Sequence, residues 1–174
     1  MATWTIDPTH SEVQFRVRHL VISNVTGSFQ KFDGKVEADK EDFSDAKISF
    51  SADIDSITTH NEQRDGHLKS ADFFDAAQFP KLSFESVSFE KSGEGTYTMT
   101  GNLTIKGHTQ PATLKVTHGG VANDFYGNTK AGFEISGKIS RQQYGLTWNA
   151  ITEAGGTVVS DEVRLIMEVQ VVKQ

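Results

Sequence analysis

The sequence predicts an all-β domain whose sheet closes on itself. Three observations carry that expectation. Apolar and polar residues alternate with period two through most of the chain, as strands with one buried face require. Only one segment reads as helix, so no second layer is at hand to cover an open sheet. The 174 residues suffice for one domain with a sizeable core, and no internal repeat, low-complexity tract or proline-rich linker divides them. A single domain over residues 1–174 is the expectation.

The strands follow in order. Val13, Phe15, Val17 and Val21 alternate with Glu12, Gln14, Arg16 and Arg18. Phe32, Val36 and Ala38 make the next run, with Gly27 and Gly34 marking a bend or bulge. Ile48, Phe50, Ala52 and Ile54 alternate with Lys47, Ser49, Ser51 and Asp53. Leu82 and Phe84 stand on one phase and Val87 and Phe89 on the other, which predicts a slip near Ser86. Tyr97, Met99, Leu103 and Ile105 lead into the turn-like KGHTQP. Ala112, Leu114 and Val116 run up to Gly119-Gly120. Ala131, Phe133, Ile135 and Ile139 form another strand, and Val163, Leu165, Met167, Val169 and Val171 end the chain. About eight antiparallel strands result. Two arrangements let them cover themselves: a sandwich filled by its own side chains, or a barrel wide enough to hold one small ligand.

One stretch breaks the alternation. Residues 58–80 connect two strands, and a connection of that length carries structure or function of its own. Thr59 with Glu62 three residues on is a capping box, and it predicts a helical segment over about 60–76. Arg64, His67, Leu68, Ala71 and Phe74 share one helical face. Gly66 weakens the helix, and Pro80 ends the segment. Laid across a barrel mouth, such a helix plugs it with Leu68, Phe73 and Phe74 and holds a cation near the rim. The alternative is a cap on an ordinary core, with Arg64 paired to a nearby aspartate.

Composition excludes several classes. A net charge of −6 argues against nucleic acid and anionic membrane surfaces as partners. No apolar run is long enough for a membrane-spanning helix. Without cysteine there is no disulfide and no thiolate metal site. The opening MATWTIDPTHSEV shows neither a basic n-region nor an apolar h-region. The expectation is therefore a cytoplasmic chain as written, or a periplasmic one if a leader has been trimmed away.

Four motifs, in order along almost the whole chain, resemble the YceI family of lipid-binding proteins. They are the opening WTIDPTHSEVQFRVRHL, the central RDGHLKSADFFDAAQFPKLSFES, the turn GNLTIKGHTQP and the late ISRQQYGLTWN. The resemblance implies an extended, lipocalin-like antiparallel barrel with a helix at one end. It implies an elongated apolar cavity for a polyisoprenoid, an isoprenoid quinone or a fatty-acid derivative. It also implies that homodimers occur and that many members carry a signal peptide, which this sequence does not display.

Candidate lining residues are Phe15, Val17, Phe50, Ile54, Leu68, Phe73, Phe74, Phe79, Phe84, Leu103, Phe133 and Trp148. Candidate polar contacts are His19, Arg64 and His67. His19 is in phase with Val13 to Val17 and points inward, either to a ligand's polar group or, as a core histidine, to a neighbouring strand or buried water. Arg64 offers a fork suited to phosphate oxygens, or else makes a rim salt bridge. Arg141 is read as fixing the turn before Trp148, and His10 and Ser11 as shaping the entry to the first strand.

The six histidines include no tight metal spacing, and no nucleophile elbow, phosphate-cradling loop or nucleotide fingerprint is present. The expectation is a non-enzymatic carrier or store for a long apolar ligand, with no cofactor. An enzyme using His19 or His67 as general base, and a solid β interaction module, stand as the alternatives.

Overall fold

The computed structural model describes residues 2–20, 22–149 and 159–174, so Val21 lies outside the described residues. Its strands are β1 (Ala2–Ile6), β2 (Glu12–His19), β3 (Ser23–Phe29), β4 (Phe32–Ala38), β5 (Lys47–Asp53), β6 (Ile57–Thr58), β7 (Lys81–Gly93), β8 (Thr96–Ile105), β9 (His108–Asn123), β10 (Thr129–Ser140) and β11 (Val159–Lys173). A helix, α1 (Glu62–Lys69), stands between β6 and β7.

These segments close into an eight-stranded antiparallel barrel, because three of its strands are each broken in two. β1 and β2 run in the same direction and share β11 as neighbour, β1 at Val171–Lys173 and β2 at Val159–Glu168. β4 lies beside β1, and β3 beside β2, so β3 and β4 form the next kinked strand. β5 beside β4 and β6 beside β3 form the third. β7 to β11 then follow as a simple meander, and β1 on β11 shuts the ring. Closure removes most of the exposed edge that an open sheet would have to protect.

Local chemistry accounts for the breaks. Between β1 and β2, Asp7 accepts hydrogen bonds from the Thr9 backbone N–H (3.1 Å) and hydroxyl (2.7 Å), and Pro8 supplies the first residue of a 3-10 turn. Lys130 Nζ lies 3.0 Å from Asp7, and these partners hold the carboxyl well below the ordinary aspartate pKa. His10 and Ser11 are structural, as expected: His10 pairs with Asp7, and Ser11 Oγ takes the Gln170 N–H at 2.9 Å. Between β8 and β9 the two-residue loop Lys106-Gly107 has both φ angles positive, 52° and 75°, as a tight hairpin requires. The slip expected near Ser86 is present: the β7–β8 register shifts between Ser86 and Ser88 and leaves Val87 70% exposed.

The core is the barrel interior. Phe84, Tyr97, Met99, Leu103, Leu114, Val116 and Phe133 are buried there on alternating positions. On β3, Gly27 sits opposite Phe15, whose ring lies where a glycine Cβ would be, at 2.2 Å. Any side chain at Gly27 would push that ring out of place.

The connection after β6 is shorter in helix than the sequence suggests. α1 ends at Lys69, and turns carry the chain on to Pro80. Its N-cap is Asn61, whose side chain accepts the Arg64 N–H at 3.0 Å, and not Thr59. Thr59 is drawn off by Asp65, which takes both its N–H (2.8 Å) and its hydroxyl (2.6 Å). Gly66 lies within an unbroken helix, and no residue of α1 is buried.

Candidate functional site

Two chambers occupy the barrel axis. The inner one, about 140 Å³, is lined by apolar side chains from nearly every strand. The second, about 500 Å³, lies beneath α1 and its following turns, within the usual range of ligand pockets. Phe15, Phe29, Leu82, Ile105, Ile139 and Leu165 line both, so the waist between them is a single apolar layer.

Most of the expected lining falls here. Phe50, Phe84, Leu103 and Phe133 line the inner chamber. Val17, Leu68, Phe73, Phe74 and Trp148 line the helix-end chamber, and Phe15 belongs to both. Two expectations are corrected. Ile54 is buried but falls just past the end of β5, in a 3-10 turn, so the strand's alternation no longer aims it at the axis. Phe79 packs its ring over Gly107 at the β8–β9 turn and lines neither chamber.

The aromatic plug comes from the turns after α1, not from the helix itself. The Phe74 N–H bonds to the Leu68 carbonyl at 3.0 Å, turning the chain back on itself. Phe73, 6% exposed, packs against His67 and Trp148 at ring distances of 5.1 and 5.4 Å. Phe74 meets Phe29 edge-on at 6.2 Å. Lys106 ties this segment to the next loop by reaching the Ala71 and Gly145 carbonyls.

The three expected polar residues all border the helix-end chamber. His67 Nε2 lies 2.9 Å from Asp72. Arg64 donates from Nε to the Thr59 hydroxyl (2.7 Å) and from Nη2 to the Thr59 carbonyl (2.8 Å). Among the described residues no carboxylate lies within ion-pair distance of Arg64, so the rim salt bridge expected as its alternative is absent there. His19 is half-buried at the end of β2. Its ring makes no hydrogen bond to another described residue, so among those residues it has no partner on a neighbouring strand.

A fourth polar residue joins them. Arg141, 2% exposed, borders the same chamber. Its guanidinium donates to the carbonyls of Ser160 (2.8 Å), Trp148 (2.9 Å), Val159 (3.1 Å) and Leu146. Burial pulls its pKa down from the ordinary arginine value, and the Asp161 charge opposes that. Arginine stays protonated at neutral pH, so Arg64 and Arg141 place two cations at this end of the interior.

The far end is shut by the loop between β4 and β5. Phe43, 1% exposed with φ 61°, inserts there between Trp4 and Phe133, with ring distances of 5.1 Å to each. The sequence carried a signal for it, a lone phenylalanine within DKEDFSDA, like the Phe73-Phe74 pair among its charges.

His118 stacks on Phe133 at 5.0 Å and touches Phe43 edge-on, leaving Nε2 buried without a partner. Burial lowers its pKa, with Gly120 and the Asp42 charge partly offsetting this. Because the folded value lies below the unfolded one, stability is lost as pH falls from about 6.5 through the folded pKa. His118→Phe is therefore expected to raise stability by about 1–2 kcal/mol at pH 5 and to flatten the pH dependence from pH 7 to 5. Urea melts across that range check it.

Among the described residues, no three His, Cys, Asp or Glu groups come together to hold a metal ion. No described helix is long and apolar enough to cross a membrane.

Comparison with known proteins places this architecture. The model of the YceI-like domain matches residues 4–171. A UPF0312 protein of Staphylococcus aureus is 39% identical over 165 residues, covering 94% of each chain. A Campylobacter jejuni YceI protein of known structure is 33% identical, covers 90% of each chain and superposes with a TM-score of 0.76. A polyisoprenoid binding domain from Saccharophagus degradans shares the fold, with a TM-score of 0.68, 98% of each chain covered and 14% identity.

Proposed function

We propose, from the premise that this chain belongs to the YceI-like domain family, that it is a non-enzymatic carrier or store for one long apolar amphiphile. The observation that supports this most is the pair of adjoining chambers, which share six apolar lining residues, with His19, Arg64, His67 and Arg141 all at the α1 end. That asymmetry matches a molecule with one polar head and a long tail. Each buried methylene contributes about 0.8 kcal/mol, so a prenyl or acyl chain gains affinity from its length, less the entropy of ordering it. A polyisoprenoid is the leading class, since a protein of the same fold is described as binding one. An isoprenoid quinone or fatty-acid derivative fits the same lining.

The head lies at the α1 end, where Arg64 retains guanidinium donors beyond those given to Thr59, and where His19 and His67 face the chamber. Arg141 contributes its charge from behind, with its donors already taken by carbonyls. The homodimer expected from the resemblance belongs to this proposal and is read by light scattering.

Organic extraction of the purified protein followed by mass spectrometry tests the reading. A stoichiometric prenyl or acyl compound is expected. Repeated recovery of none, with no uptake of such a compound by the delipidated protein, would overturn it.

A further inference from the structure

The inner chamber has a weak place in its wall. β5 pairs with β7 only from Ser49 opposite Glu85 to Asp53 opposite Lys81, although β7 runs on to Gly93. Among the described residues, the edge of β7 beyond Glu85 that faces β5 has no strand beside it. One hydrogen bond bridges the first step of this gap, from the Ile48 N–H to Ser86 Oγ at 2.9 Å. The bulge at Val87 turns β7 outward at the same point.

Outside the gap lies a polar groove of about 520 Å³ bordered by Lys35, Glu37, Ser44, Lys47, Ser86 and Ser88. Two inward-facing side chains are reached from both sides. Ile48, opposite the buried Val36, and Phe89, opposite the buried Met99, line this groove and the inner chamber alike. Neither is fully buried. In an intact ladder, residues of that phase are hidden from the outer face.

We propose that this seam is a lateral doorway through which a single-chain amphiphile enters and leaves the inner chamber. The proposal rests on the lipid-binding reading above and adds the route. Over most of its remaining length the barrel wall is held by backbone ladders, which part only by breaking paired N–H···O=C bonds. Among the described residues the other stretches without a ladder, at His108–Thr113 of β9 and between β6 and β7, lie at the α1 end. The α1 end is tied by Arg141, by the Thr59 network and by Lys106. Opening the seam gives up the Ile48–Ser86 bond and shifts Phe89 on its stack with Tyr97, while the β4–β5 loop stays tied by the Tyr97 hydroxyl to the Asp42 carbonyl. Parting two strands gives a slot on the scale of one strand spacing, about 4.8 Å, which admits one extended chain and excludes fused-ring lipids.

The chain has no cysteine, so a single introduced thiol is labelled alone. Ser49→Cys places an exposed thiol that borders both groove and chamber. After labelling with a bulky maleimide, entry of cis-parinaric acid into delipidated protein is followed by stopped-flow fluorescence. Labelled Ser49→Cys is expected to fill about tenfold more slowly than its unlabelled form, to the same final amplitude. The same label on Thr98→Cys, on the outer face of β8, or on Gln63→Cys, at the α1 end, leaves the rate unchanged. A Ser49 label that alters the rate by less than about twofold, or a Gln63 label that alone slows it, overturns the doorway while leaving lipid binding intact. Unlabelled protein that takes up no probe overturns both.

Discussion

Arg141→Met is expected to destabilise the protein by about 3–5 kcal/mol, the largest loss from any single side chain near the chambers. The reason lies in what the guanidinium holds. The carbonyls of Leu146, Trp148, Val159 and Ser160 converge on it from both sides of the segment between β10 and β11. Methionine fills similar volume and offers no donor, so those carbonyls must find water or stay unpaired. Lysine does not replace it, since an ammonium cannot span both pairs of acceptors as a planar fork does. Trp148 is set by this arrangement, and His67 and Phe73 pack on Trp148 at 4.7 and 5.4 Å. Loss of the fork should therefore loosen the plug as well as lower stability. Urea unfolding by circular dichroism measures the first effect and tryptophan emission in the native state the second. A loss below about 1 kcal/mol would mean that solvent satisfies the carbonyls.

That dependence explains which parts of the molecule were legible in the sequence. Strands were legible because their signal is local: the alternations at Val13–Val17, Ile48–Ala52 and Tyr97–Ile105 each record one buried face. The slip at Ser86 was legible for the same reason, as a change of phase. β1 and β3 were missed as separate strands. β1 is only Ala2–Ile6, and β3 puts Val25, Gly27 and Phe29 inward with a glycine where an apolar residue would have shown.

The site was legible wherever a lining residue sat on a strand, as Phe15, Phe50, Phe84, Leu103 and Phe133 do. It was not legible where the chain leaves periodic structure. Helical spacing grouped Phe74 with Leu68 on a helix face, whereas the chain turns back after Lys69 and brings them together through the Phe74 N–H and Leu68 carbonyl. Ile54 and Phe79 also stand outside periodic structure, Ile54 in the 3-10 turn that follows β5 and Phe79 in the turns between Lys69 and β7. Arg141 was legible in part: it was read as fixing the turn before Trp148, and it does bond the Leu146 and Trp148 carbonyls, whereas its bonds across to Val159 and Ser160 are to backbone carbonyls whose positions no residue pattern records.

Phe74→Asp is expected to weaken uptake of a prenyl or acyl chain by about 100-fold or more while leaving the barrel folded. The ring of Phe74 forms part of the helix-end chamber wall and meets Phe29, a residue of the waist. A carboxylate there must either stay solvated, holding water where the chain would lie, or be buried without a partner. The strands do not depend on it, because Phe74 belongs to the connection and makes no ladder bond. Phe79→Asp supplies the comparison: same connection, same change of charge, but a ring that covers Gly107 and lines neither chamber. Its affinity for the same chain should stay within about threefold of the parent, whatever it loses in stability. Equal losses of affinity in both variants would show that the effect comes from loosening the connection as a whole. A loss confined to Phe74→Asp would identify that side chain as wall.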